Sequence, residues 1–298
     1  MQRETPAPSA GTPDRPPGAP TVRAIARGDG WRVSEFTCHL GPGDRRFEER
    51  HEDVAISAVV EGAFQYRSVT GRALLSPGSL LLGNPGACFE CGHDHGRGDR
   101  CIGFHFAPGL FEEIAAAVAG SHRFRFKTPM LPAIRELAGP VVEAEMEARS
   151  GNRIAWDELA IRLAETVLTA LSGVDGATRA PSPRDERRIS NVLRHIEEHF
   201  DQPLDLTDLA GLAFMSKYHF LRTFRRTVGV TPSRYLLGVR VRRAAVALCA
   251  TPVPVATIAF DAGFGDLSTF NRHFRQAFGV SPAAFRRAPG RLSARART

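Results

Sequence analysis

Residues 219–236 read HFLRTFRRTVGVTPSRYL, and fifty positions later residues 269–286 read TFNRHFRQAFGVSPAAFR. A unit written twice at a fixed period means one helical device used twice. Phe220 and Phe224 stand four apart, and Phe270 and Phe274 repeat the spacing, so each copy predicts a helix with an aromatic stripe turned to a core. Tyr218, Leu221, Arg222 and Arg225 follow the steps i, i+3, i+4, i+7, and Ser268, Asn271, Arg272 and Arg275 reproduce them. That spacing puts a polar, basic face on the side away from the phenylalanines. Ser216 and Asp266 are equivalent N-caps, and Gly229 and Gly279 are equivalent stops. Thr231-Pro232 and Ser281-Pro282 then open a further helix in each copy. The first of these runs over residues 233–250, ends at Thr251-Pro252 and links the two units.

A shorter helix precedes each copy, at residues 207–213 (TDLAGLA) and 255–262 (VATIAFDA), joined to it by a turn of two to four residues. The result is a helix-turn-helix outline written twice. This paired pattern, with the closing DAGFGDLSTFNRHFRQAFGVSPAAFR, resembles the AraC/XylS transcription regulators over residues 188–287. The resemblance implies a sequence-specific regulator that binds double-stranded DNA, a homodimer, and RNA polymerase as a partner if the protein activates. The residues expected to meet DNA are Ser216, Lys217, Tyr218, Leu221, Arg222 and Arg225 in the first unit, and Leu267, Ser268, Asn271, Arg272 and Arg275 in the second.

Charge follows the same division. Residues 183–298 carry 19 Lys+Arg against 9 Asp+Glu, a net +10, and the whole-chain +7 therefore leaves −3 in front. A basic half beside an acidic one is the footprint of a surface that meets phosphates. Arginine supplies nearly all of it, and its planar fork suits both phosphates and guanine edges. A solvated basic surface would explain Arg291, Arg295 and Arg297, but not the fifty-residue match of Arg222 with Arg272 and Arg225 with Arg275.

The front of the chain has another texture. Residues 1–21 are rich in proline and read as a disordered tail. From residue 22 to about 106, short apolar runs (VAISAVV, AFQYRSV, RALLS, SLLLG) alternate with Glu-Gly, Thr-Gly and Pro-Gly turns, as in a compact antiparallel β domain. The turn spacing resembles the jelly-roll, cupin-like sensor of AraC-type regulators. Helical periodicity returns at residues 109–119 and 156–171, where Leu159, Leu163, Val167, Leu168 and Leu171 share one broad face. Those helices either pair between subunits or cover the open side of the β domain. The expected class is α+β: a cupin-like sensor with accessory helices over residues 22–171, a linker at 172–182, an all-α double helix-turn-helix domain at 183–288, and a basic tail at 289–298. No run of 18 apolar residues and no basic-then-apolar leader occurs, so a cytoplasmic protein with no membrane partner is expected.

One constellation in the β domain has ligand chemistry. Cys88, Cys91, His93, His95 and Cys101 fall within fourteen residues, and in a strand Cys91, His93 and His95 would share a side. Thiolate and imidazole together suit zinc or another soft metal, with Cys88 or Cys101 as a further ligand. A thiol redox pair (Cys88 or Cys91 with Cys101), an effector pocket and a structural role are the other readings. Cys38 and Cys249 read as core residues, and His39 and His105 as core or pocket positions. A metal-dependent cupin enzyme with an appended DNA-binding module is the alternative function. Against it, the early stretch His51-Glu52-Asp53 departs from the His-x-His of cupin metal sites, and neither a catalytic triad nor a phosphate loop is present in the sequence. The effector is expected to be a small molecule or a metal.

Overall fold

Residues 54–60, VAISAVV, are all buried, which requires a strand covered on both faces. In the computed structural model, which describes residues 20–94, 98–119, 124–150, 155–171 and 181–287, that strand is central to the first domain. Residues 1–19 of the proline-rich tail, 172–180 of the linker, the basic tail 289–298 and His95 lie outside the described residues.

The strands in chain order are β1 (Thr21–Gly28), β2 (Trp31–Cys38), β3 (Phe47–Arg50), β4 (Val54–Gly62), β5 (Phe64–Ser68), β6 (Gly71–Leu75), β7 (Leu80–Gly83), β8 (Cys88–Gly92), β9 (Asp99–Phe106) and β10 (Met130–Leu131). They form two antiparallel sheets, ordered β1-β2-β9-β4-β7-β10 and β3-β8-β5-β6. Alternation along β4 divides its burial. Ile56, Ala58 and Val60 join a core with the helices, whereas Val59 joins Phe64, Tyr66, Leu75, Leu81 and Cys101 between the sheets.

Three helices, α1 (Pro108–Ala119), α2 (Arg135–Ser150) and α3 (Ala155–Leu171), cover the outer face of the larger sheet. Trp156, Leu159, Leu163, Val167 and Leu168 are buried there, so this face of α3 is a core face within one chain. The helix α2 was not anticipated, because Gly139-Pro140 reads as a turn.

The second domain is helical: α4 (Pro183–Glu198), α5 (Leu206–Leu212), α6 (Lys217–Val228), α7 (Pro232–Ala250), α8 (Val255–Asp261), α9 (Leu267–Phe278) and α10 (Pro282–Arg287). It has two cores. Phe220, Phe224, Leu209 and Ile189 form one, Phe270, Phe274, Phe278 and Phe285 the other. The long α7 serves both, giving Tyr235 and Val239 to the first and Val241, Ala244, Ala245 and Leu248 to the second. No helix among the described residues is long and apolar enough to cross a membrane.

The two domains share buried residues. Leu74 of β6 lies in the core of the first helical unit, and Val142 of α2 lies in the core of the second. Arg72 of β6 donates to Glu186 of α4 at 3.2 Å, and Glu186 is only 2% exposed.

Candidate nucleic-acid interface and the cysteine and histidine cluster

Each expected reading helix has the ends its sequence calls for. Ser216 accepts from the His219 N–H and Asp266 from the Thr269 N–H, while Gly229 (φ 87°) and Gly279 (φ 73°) close α6 and α9 in the left-handed region. Hydrogen bonds from backbone N–H groups hold the exposed Asp266 carboxyl below its ordinary range. The aromatic pairs are fully buried, with ring centroids 5.6 Å apart for Phe220 and Phe224 and 5.4 Å for Phe270 and Phe274. Burying those faces turns the opposite ones outward.

Ser216, Lys217, Arg222 and Arg225 are exposed and Leu221 is half-buried; Leu267, Ser268, Arg272 and Arg275 are exposed and Asn271 is half-buried. The Tyr218 side chain lies outside the described part of α6. On α9, Ser268, Asn271, Arg272, Arg275 and Gln276 line a shallow concavity. Gln276 was missed, although it stands one turn beyond Arg272 on the same face.

Several arginines of this domain are committed to the fold. Arg226 pairs with Asp185, Arg240 donates to the carbonyls of Phe200 and Gln202, Arg242 and Arg243 pair with Glu197, and Arg286 caps carbonyls of Leu248 and Val253. These hold the fold together. Among the described residues, Arg222, Arg225, Arg272 and Arg275 make no ion pair with an acidic side chain, which leaves their forks available to a ligand.

Sequence comparison bears on this surface directly. A family model for a helix-turn-helix domain matches residues 209–288, and one for an AraC-like ligand binding domain matches residues 36–164. Transposon Tn10 TetD protein of Escherichia coli is 37% identical over 99 residues, 33% of this chain and 72% of that protein. The chain belongs to the AraC family of transcription regulators. The HTH-type transcriptional regulator YbfI of Bacillus subtilis (strain 168) is 28% identical over 228 residues, 75% of this chain and 81% of YbfI. Right origin-binding protein of Escherichia coli (strain K12) is 38% identical over 101 residues, covering 34% of this chain and 35% of that protein. The regulator is thus a DNA-binding transcription regulator with a ligand-binding N-terminal domain.

In that N-terminal domain the cysteines and histidines are not distributed as their spacing suggested. Strand β8 ends at Gly92, so His93 lies beyond it, and His95 falls outside the described residues. Of that set, His93 joins a ligand group among the described residues and Cys91 does not. Cys88 is exposed at the start of β8, Cys91 is partly buried, and all five cysteines are free. Instead Cys38, read as a core residue, meets His93 and Asp99: Cys38 Sγ is 3.9 Å from His93 Nδ1, and His93 Nε2 is 2.6 Å from Asp99 Oδ1. Cys101 donates its S–H to Asp99 Oδ2 at 3.1 Å. Asp99 was missed because its only signal is the β2 to β9 register that sets it opposite Cys38.

Burial alone would depress the His93 imidazole, but its hydrogen bonds to Asp99 and Cys38 outweigh that and hold it up at about 9. Burial, reinforced by Asp99, pushes the Cys91 and Cys101 thiols well above their ordinary range, which disfavours a reactive thiolate pair. Between the sheets, His51 stacks on Phe89 at 4.2 Å and shares a 2.9 Å hydrogen bond with the Tyr66 hydroxyl. His105 reaches the same interior with a buried Nε2 that has no hydrogen-bond partner among the described residues, whereas His39 is exposed rather than a core residue.

Proposed function

We propose that α6 and α9 enter successive major grooves on one face of the duplex, about 34 Å apart as paired helix-turn-helix units are. Arg222 and Arg272 read base edges, flanked by Tyr218, Leu221, Ser268 and Asn271, and Arg225 and Arg275 reach phosphates. Ser216, Lys217 and Leu267 border the same surface. The observation that carries this reading is the fifty-residue match of exposed arginines that, among the described residues, form no ion pair, beside fold-supporting arginines that do.

The N-terminal domain senses a small molecule or a metal, and the signal crosses to the helical half through Leu74, Val142 and the Arg72 to Glu186 pair. The regulator works in the cytoplasm as a homodimer and engages RNA polymerase if it activates. Its relatives are regulators, which supports a role without catalysis.

The test is a binding selection on random duplexes with wild type, Arg222→Ala and Arg272→Ala. Each variant should lose about 1 to 3 kcal/mol and relax preference at one base pair, as loss of a bidentate contact does. Arg225→Ala and Arg275→Ala should weaken all sequences alike and reduce the salt slope by about one each. An unchanged motif in the Arg222→Ala, Arg272→Ala double variant would sink the assignment.

A further inference from the structure

We propose that Cys38, His93 and Asp99 bind one zinc ion, or a divalent cation of similar softness, at the end of the β domain. The three arrive from separate elements: Cys38 closes β2, His93 follows β8 and Asp99 opens β9. One ligand atom from each lies within 4.8 Å of the other two. Metal to ligand distances of about 2.0 to 2.3 Å set tetrahedral edges at roughly 3.5 Å, so the 3.9 Å from Cys38 Sγ to His93 Nδ1 is already near an edge, while the 2.6 Å hydrogen bond from His93 Nε2 to Asp99 Oδ1 opens on loading. Cys101 borders the site, with its Sγ at 3.1 Å from Asp99 Oδ2.

Chemistry selects the ion. Thiolate with imidazole and a carboxylate suits zinc, cobalt or another borderline cation, whereas calcium and magnesium demand shells of oxygen. On loading, the Cys38 thiol gives its proton to solvent and the metal takes its place on the sulfur. The ligand side chains are buried. The side chains of His93 and Asp99 are 1% and 8% exposed, and the Phe64 ring lies 5.8 Å from the imidazole. Backbone forms the remaining wall: at Gly98 (φ +71°) a Cβ would fall 2.3 Å from the Cys38 carbonyl oxygen, so only glycine fits there.

The experiment uses the full chain, purified without chelator, with zinc measured by plasma mass spectrometry and cobalt substituted as a spectroscopic probe. Expected are one equivalent of metal per chain and, with cobalt, a thiolate-to-metal charge-transfer band with intense tetrahedral d–d absorption. Cys38→Ser, His93→Gln and Asp99→Asn should each weaken metal binding by about 10-fold or more, while Cys88→Ser, on the exposed end of β8, leaves it intact. If those variants fail to fold, the wild type still decides: the cobalt-loaded chain should show the thiolate charge-transfer band, and chelator should abolish it. Absence of metal together with no cobalt spectrum on titration would overturn the proposal. So would occupancy that survives Cys38→Ser and Asp99→Asn but is lost in Cys91→Ser with His95→Ala.

Discussion

Phe214 holds a left-handed backbone, φ 52°, at the turn of the first unit, where the second unit has Gly263 at φ 80°. Both turns close with the same bond, Met215 N–H to the Ala210 carbonyl and Phe264 N–H to the Ala259 carbonyl, so the geometry is imposed by the helix end. Glycine satisfies it freely, and a phenylalanine with 82% of its surface exposed offsets little of the strain. Phe214→Gly should therefore stabilise the protein by about 1 kcal/mol, read by denaturant unfolding. A loss of stability would mean that the ring makes contacts in solution that offset the strain. The buried histidines give a second prediction. Burial holds His51 at about 4, and burial with the charges of Arg32 and His51 holds His105 at about 4, both against 6.5. Between those values the unfolded chain binds more protons, so their contribution is complete above 6.5 and drains away as pH falls to about 4. Each is worth on the order of 3 kcal/mol, and His105→Leu should flatten the acid side of a stability profile by about that amount. A slope identical to wild type would show that His105 is already solvated.

At the scale of elements, α7 carries both helical cores, and Ala245, fully buried at its middle, is the position where a break is felt by both. Ala245→Pro removes an interior hydrogen bond and should cost about 3 kcal/mol or more, whereas Ala245→Gly should cost about 1. DNA affinity should collapse in the proline variant while near-ultraviolet circular dichroism of the β domain persists; normal binding would show that the distance between α6 and α9 does not depend on this helix. The elements of this half were legible because each carried its own punctuation: Ser216, Asp266, Gly229 and Gly279 mark ends that the backbone then uses. The β domain was legible as a class through its turns and the alternation around VAISAVV. Two things were not. Helix α2 hides behind Gly139-Pro140, because a proline tolerated early in a helix looks the same in sequence as one that ends it. The cluster of Cys38, His93 and Asp99 depends on strand pairing across 61 positions, which no local spacing encodes. Sequence proximity points to Cys91 and His95, whereas strand register sets Asp99 opposite Cys38.

Across the whole molecule, the sensor grips the two DNA-reading units at separate points. Leu74 (1% exposed) and the Arg72 to Glu186 pair hold the first unit from β6, while Val142 and Met146 of α2 hold the second. The candidate DNA faces of α6 and α9 remain exposed with both grips closed, so docking does not mask them. What docking fixes is the position of one unit relative to the other, and a signal that moves β6 against α2 would change the spacing the pair can span. Loosening one grip should act in the same way. Leu74→Ala removes a side chain from the first core at about 2 to 5 kcal/mol, and Arg72→Ala strands a buried carboxylate. Operators that differ only in half-site spacing provide the readout, because a change in unit geometry redistributes affinity among them while general destabilisation lowers all equally. Leu74→Ala and Val142→Ala should each shift the preferred spacing, changing the relative affinities of these operators by about 5- to 150-fold, the range of ordinary coupling energies. Leu163→Ala, buried under the larger sheet with neither unit among its neighbours, should destabilise comparably and leave the spacing preference alone. If all three variants change the spacing profile in the same way, the grips carry stability only, and the signal reaches the DNA by another route.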